Sequence, residues 1–207
     1  MPISTLPACI RRSKGIAMKK TVLALALLAL VLFGSVSLAA ELVTVPYTQY
    51  SSGGTATELE AVILFENKNS TFTRYQVAFA SCTCRGAESN YRSVMYIELL
   101  NTKETAGEAK IRSISFSDVK GTTVGMWGDS NPIYMQPDKT FEYMDEHFVQ
   151  KLVGCTKNDI DAWEGYGDVV DAVDVDAVAG ATVSVSNITS VVRSMFQYHA
   201  DKYYKGK

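Results

Sequence analysis

The sequence has 207 residues, with 20 basic and 22 acidic side chains, a formal net charge of −2 and 47% hydrophobic residues. The charge is unevenly shared: residues 1–40 hold five basic and no acidic side chains, leaving fifteen basic against twenty-two acidic from residue 41 on, a net of about −7. That balance disfavours nucleic acid as a partner, and the 167 residues from 41 to 207 suit one ordinary domain with its own core.

In residues 1–40, Arg11, Arg12, Lys14, Lys19 and Lys20 precede an apolar run from Val22 to Phe33 that closes in Gly34, Ser35, Ser37, Ala39 and Ala40. This is the pattern of a secretory signal peptide, with cleavage expected after Ala39 or Ala40, and Met18, directly before Lys19 and Lys20, is the more usual start for such a leader. An uncleaved anchor over Thr21 to Ala40 is the alternative, since roughly 20 apolar residues span a bilayer. Either way the rest of the chain is expected outside the cytoplasmic membrane, periplasmic or extracellular. Cys9 precedes the apolar run, so a lipoprotein is not indicated.

Beyond a Ser/Gly/Thr-rich stretch at Ser51 to Thr57, four short segments have strand chemistry: Ala61 to Phe65, Arg74 to Ala80, Ser93 to Leu100 and Ile111 to Phe116. They are β-branched or aromatic and bounded by polar turns, which predicts an antiparallel sheet. Asp138 to Val153 reads as a helix, with Phe141, Met144, Phe148 and Leu152 at three- and four-residue spacing, and a shorter helix is expected from Thr156 to Gly165. In Asp168 to Ala179 the alternation of Val173 and Val175 with Asp174 and Asp176 predicts a strand ending at Gly180. From about Ser184 a last amphipathic helix is expected, with Ile188, Val191, Val192, Met195 and His199 on one face and Lys202, Lys205 and Lys207 at the negative end of its dipole. The expected fold class is α+β, an antiparallel sheet with packed helices.

The stretch Asp176-Ala177-Val178-Ala179-Gly180-Ala181-Thr182-Val183-Ser184 reads as a strand running into a tight turn and then a helix. Gly180 can take a positive φ, and the first amides of the helix, lacking internal partners, suit an anion such as phosphate. The stretch resembles the flavinylation motif of the FMN-binding domain family, Asp-x-x-Ser/Thr-Gly-Ala-Thr/Ser-x-Ser/Thr. Members include the periplasmic subunits of sodium-pumping quinone reductase and of ferredoxin-oxidising complexes, and extracellular flavin carriers. Asp176, Gly180, Ala181, Thr182 and Ser184 match it; Ala179 departs, standing where the family has a small hydroxyl residue.

The resemblance implies FMN held covalently through a phosphoester on Thr182, placed there by a flavin transferase that uses FAD. It also implies a membrane electron donor and an external electron acceptor or reductase as partners, with Asp176 helping the transferase recognise the turn. The chain would then be an electron carrier more than a stand-alone catalyst. Trp127, Tyr134, Trp163 and Tyr166 are candidate cover for the isoalloxazine by residue type. Two other readings stay open: an exported module that binds FMN or another phosphate-bearing ligand without a covalent bond, and a cofactor-free structural protein in which Gly-Ala-Thr is a helix start.

Cys82 and Cys84 flank Thr83, and with Cys155 they leave an odd number of cysteines after the leader. One structural disulfide, from Cys155 to Cys82 or Cys84, is expected; a redox dithiol of Cys82 and Cys84 is the sharper alternative. Asp168, Asp171, Asp174 and Asp176 do not have EF-hand spacing and read as a solvated face. His147 and His199 fall in expected helices without zinc spacing. Asn69-Ser70-Thr71 and Asn187-Ile188-Thr189 fit glycosylation sequons. A phosphate-binding P-loop, a Gly-x-Ser-x-Gly elbow, a His-Glu-x-x-His helix and a Gly-x-Gly-x-x-Gly turn are all lacking from the sequence.

Overall fold

The structure is a computed structural model, and it describes residues 42–83, 91–119, 122–123 and 125–205, with the backbone alone for 118, 119, 122 and 123. The leader, Cys84 and Lys207 lie outside the described residues. The chain divides into two units, 1–41 and 42–207, and the described fold is that of the second.

Five strands form a meander in sequence order: β1 (Val43–Tyr50), β2 (Ala56–Lys68), β3 (Phe72–Cys82), β4 (Tyr91–Leu100) and β5 (Ile111–Ser115), each antiparallel to the next. The alternation expected of a half-buried sheet is there: Tyr75, Val77 and Phe79 of β3 and Met95, Ile97 and Leu99 of β4 are buried on one face. All four expected strands are present. β1 is not among them; its Pro46 weakens the strand signal, yet β1 is an edge strand of the sheet, where a residue without an N–H is tolerated. The Ser/Gly/Thr-rich stretch is the turn between β1 and β2, with Gly53 and Gly54 at positive φ.

Two short paired segments, β6 (Asp118–Val119) and β7 (Thr122–Thr123), follow the sheet. The expected helix over Asp138 to Val153 is split: α1 (Phe141–His147) ends at Phe148, where φ −127° and ψ −64° break the helical path, and Val149–Leu152 continues as a 3₁₀ turn. Met144, Phe148, Val149 and Leu152 are buried all the same. The second expected helix is α2 (Lys157–Asp161), opened by a capping box in which Thr156 and Asp159 satisfy each other's amides.

The strand expected over Asp168 to Ala179 is not formed. The segment is a series of turns leading into the single helical turn α3 (Val175–Val178). The Asp174 carboxylate accepts from the Asp176 amide at 3.0 Å and so caps that turn, a local bond that competes with strand pairing. Val173 is buried and Val175 is exposed, so the two valines do not share a face. Asp171, Asp174 and Asp176 face solvent, and no cluster of three or more metal-ligating side chains occurs among the described residues.

The last helix, α4 (Thr182–Tyr203), starts two residues before the expected Ser184 and lies on the sheet. Ile188, Val191, Val192, Met195 and Phe196 are buried against it, each contributing roughly 2 kcal/mol of apolar burial. α4 also completes the edge of β1. Ser190 Oγ accepts from the Thr48 amide at 3.1 Å, and Asn187 accepts from the Tyr50 amide at 2.6 Å while donating to the Tyr50 and Ser81 carbonyls at 3.0 and 2.8 Å. A strand edge that would otherwise be open is thereby paired. Asn187 is wholly buried, so its sequon is not a surface acceptor.

At its far end α4 is fastened by polar contacts. Buried His199 holds the Tyr75 hydroxyl at 2.8 Å through Nδ1, and burial pushes the imidazole down to about 4. Glu66 of β2 accepts from Tyr198 at 2.8 Å, from Lys202 at 2.7 Å and from Tyr203. Burial alone would raise the Glu66 carboxyl, but the donors from Lys202, Tyr203 and Tyr198 hold it below the usual carboxylate range. Among the described residues no helix is long and apolar enough to cross a membrane.

Candidate functional site

The register of the sheet opens a gap. β2 and β3 are paired from Lys68 and Thr73 as far as Val62 and Ala78, and there β2 parts from β3. The backbone of β3 beyond that point is satisfied by side chains instead of a strand: the Tyr47 hydroxyl donates to the Ala80 carbonyl at 2.9 Å and accepts from its amide at 3.1 Å, and Asn187 takes Ser81. Ser52, in the turn between β1 and β2, and Cys82, at the end of β3, sit on the walls of the cavity found at this end of the sheet.

The start of α4 forms another wall: Gly180, Ala181, Thr182, Val183 and Ser184 all line the cavity, whose volume is about 260 Å³. Gly180 has φ +86°, in agreement with the sequence, and a β-carbon there would meet the Gln136 side-chain amide at 2.5 to 2.8 Å. The conformation favours glycine, and a larger residue would also have to push the Gln136 side chain aside. Ala181 is the N-cap residue, and its methyl group makes no cap bond to the first amides of α4. Thr182 is half-buried, and among the described residues its hydroxyl has no hydrogen-bond partner.

Ser184 is engaged: its hydroxyl donates to the carboxylate of Asp129. Asp129 is a wall residue that the sequence alone does not single out, and its position depends on the residue before it. A β-carbon on Gly128 would fall 1.4 Å from the Arg92 carbonyl oxygen, so only glycine lets this loop lie against the β4 backbone, where its amide donates to Ser93 Oγ at 3.1 Å. The other oxygen of Asp129 accepts from the Ser130 amide at 2.8 Å, and Ser130 Oγ in turn accepts from the Tyr134 amide at 3.1 Å. A short Gly-Asp-Ser sequence offers no periodic signal; the signal that could have found it is Gly128 itself, one residue before an acid in a loop.

The expected site residues therefore divide. Gly180, Ala181, Thr182, Ser184 and Cys82 share one cavity, whereas Asp176 is exposed on α3 and is not in the wall. The aromatics divide too. Tyr134 and Tyr166 line the cavity, together with Tyr91, which is not among the expected residues. Trp163 is a core residue whose indole donates to the Asp168 carbonyl at 3.1 Å, and Trp127 packs between Phe116 and Phe141.

The disulfide expected at Cys155 is not formed. Cys155 is a buried free thiol whose Sγ lies 3.6 Å from the Lys151 carbonyl, and burial, with the nearby Asp159, pushes it up. Its carbonyl accepts from Ile111, which pairs with Leu99 at one end of β4, while Cys82 pairs with Tyr91 at the other. Eight residues of strand separate those ends, roughly 27 Å at the usual rise; a disulfide needs its Cα atoms within about 7 Å.

No protein-family model matches the chain, and no curated protein or solved structure does. The motif of residues 176–184 and the cavity that its last five residues line are what point to a function.

Proposed function

We propose that this chain is an exported carrier of FMN, bound covalently through a phosphoester on Thr182, that passes electrons between a membrane donor and an external acceptor or reductase. The observation that carries the reading is the Thr182 hydroxyl itself, unpartnered among the described residues, in a cavity wall, at the uncapped first turn of a long helix. That is the chemistry a phosphoester acceptor needs: a reachable oxygen, with amides and a helix dipole beside it that favour negative charge. The positive φ of Gly180 makes the tight turn from which α4, and with it Thr182, begins.

The attachment is a phosphoryl transfer. The Thr182 oxygen bonds to the FMN phosphorus, the bond from that phosphorus to the AMP half of FAD breaks, and the hydroxyl proton is released. Ser184 and Asp129, hydrogen-bonded to each other beside Thr182, fix the shape of the first turn of α4. Bound flavin would supply one- and two-electron chemistry, while the protein supplies position and electrostatic surroundings. A cavity of about 260 Å³ is below the roughly 300–1,000 Å³ of ligand pockets, which would leave part of a flavin at the surface, where redox partners can reach it.

The test is the intact mass of the full chain co-expressed with a flavin transferase and then denatured. A gain of one esterified FMN, mapped to the Thr182 peptide and absent from Thr182→Ala with an unchanged melting temperature, is the expected result. Flavin that separates from the denatured chain would instead identify a non-covalent binder, and covalent flavin retained by Thr182→Ala would end the assignment.

A further inference from the structure

Of the three tyrosines that line the cavity, Tyr166 is held by the β1–β2 turn. A β-carbon on Gly54 would lie 2.8 Å from the Tyr166 ring at Cδ1, so the ring lies against the bare backbone of the β1–β2 turn. Its hydroxyl accepts from the Gly53 amide at 3.3 Å. The Tyr50 ring packs beside it, centroids 5.7 Å apart and planes inclined by 40°. One part of the ring is thus committed to the hairpin, while the residue also lines the cavity that holds Thr182. Tyr134 lines the same cavity but is 66% exposed.

We infer that Tyr166 is the aromatic platform for the isoalloxazine, and that the Gly53-Gly54 turn is the device that fixes it. The inference rests on the covalent-flavin reading and adds the surface on which the ring system lies. Aromatic rings prefer offset or edge-on contact, and a platform already immobilised loses little freedom when a ligand arrives. Tyr166 is anchored through contacts that leave it in the cavity wall, whereas Trp163 is buried in the core and half-buried Trp127 packs between Phe116 and Phe141, neither lining the cavity. An electron-rich phenol against the flavin also opposes the negative charge that reduction adds, and it quenches flavin fluorescence by transient electron donation to the excited ring, which then returns.

The experiment uses the full chain co-expressed with a flavin transferase. Loading is read as mass gain on the denatured chain, and fluorescence per attached flavin is compared before and after unfolding. The expected result is a folded protein several-fold dimmer than the unfolded one, with most of that quenching lost in Tyr166→Leu at equal mass gain. Gly54→Ala, which must displace the ring, should lose part of it, and Tyr134→Leu little. Tyr166→Phe keeps a ring against Gly54 and removes the oxidisable phenol, so it should brighten even if the leucine variant does not fold. A loaded wild type as bright folded as unfolded, or loaded Tyr166 variants as dim as wild type, would overturn the platform and leave Thr182 as the attachment site. A wild type without mass gain would overturn both.

Discussion

The two ends of α4 carry similar chemistry and use it differently. At the C-terminal end, Tyr198, His199, Lys202 and Tyr203 are all tied to the sheet through Tyr75 and Glu66. At the N-terminal end, Thr182 is unpartnered among the described residues, and only Ser184 is tied, to a loop. Polar groups that serve the fold mostly find partners within it, because an unpaired buried group costs about 1–3 kcal/mol; Ser186 Oγ and His199 Nε2 of α4 are buried exceptions among the described residues. A hydroxyl left unpaired in a cavity wall is released from that duty, which is why the first turn of α4 reads as a site and the last turn as a fastening.

The comparison predicts that variants beyond the first turn change stability without changing flavin attachment. Asn187→Leu removes three hydrogen bonds to backbone, to the Tyr50 amide and carbonyl and the Ser81 carbonyl, of which the Tyr50 carbonyl keeps Gln49 Nε2 as a partner. A loss of about 4 kcal/mol in urea unfolding is expected, with any folded protein still loaded; a loss below about 1 kcal/mol would mean that the edge of β1 does not depend on the helix.

His199 gives the next largest effect, through pH. Its imidazole titrates near 4 in the fold against about 6.5 in an unfolded chain, so the unfolded state takes up the proton first. The stability it contributes is complete above pH 6.5 and falls away between 6.5 and 4, by about 3 kcal/mol. His199→Gln should flatten that stretch of the stability curve, and an equal slope in both proteins would place the acid sensitivity elsewhere.

The smallest change belongs to the first turn. Ser184→Ala removes the bond to Asp129 and should cost about 1 kcal/mol, while slowing attachment of flavin at Thr182 in a timed transferase assay. Should it slow nothing, the Ser184–Asp129 pair is scaffolding and the contrast between the two ends of α4 narrows to Thr182.

The sheet and the buried face of α4 are legible in the sequence because burial imposes a period, two in Arg74 to Ala80 and Ser93 to Leu100, three to four in Ile188 to His199. Asp168 to Ala179 misleads for the same reason: valines and aspartates alternate there, but a local cap at Asp174 decides the conformation. In the candidate site, Gly180 and Thr182 are legible from the motif. Asp129, Tyr91 and the Gly54 contact of Tyr166 are not, since each depends on a loop meeting another part of the chain at long range. A cis peptide at Asn131-Pro132 and a positive φ at Met135 belong to the same loop as Asp129, and nothing periodic announces either.

The pairing of β1 by α4 also sets an order of events. Thr48 and Tyr50 find their partners in residues 142 and 137 positions later, so the first strand waits for nearly the last part of the chain to be made. Contacts that distant are slow to form, and the turn bearing Thr182 lies only five residues before Asn187. An emerging chain therefore has no finished turn at Thr182 to offer, and the proposed attachment there would follow folding, as a final mark that the two ends of the domain have met.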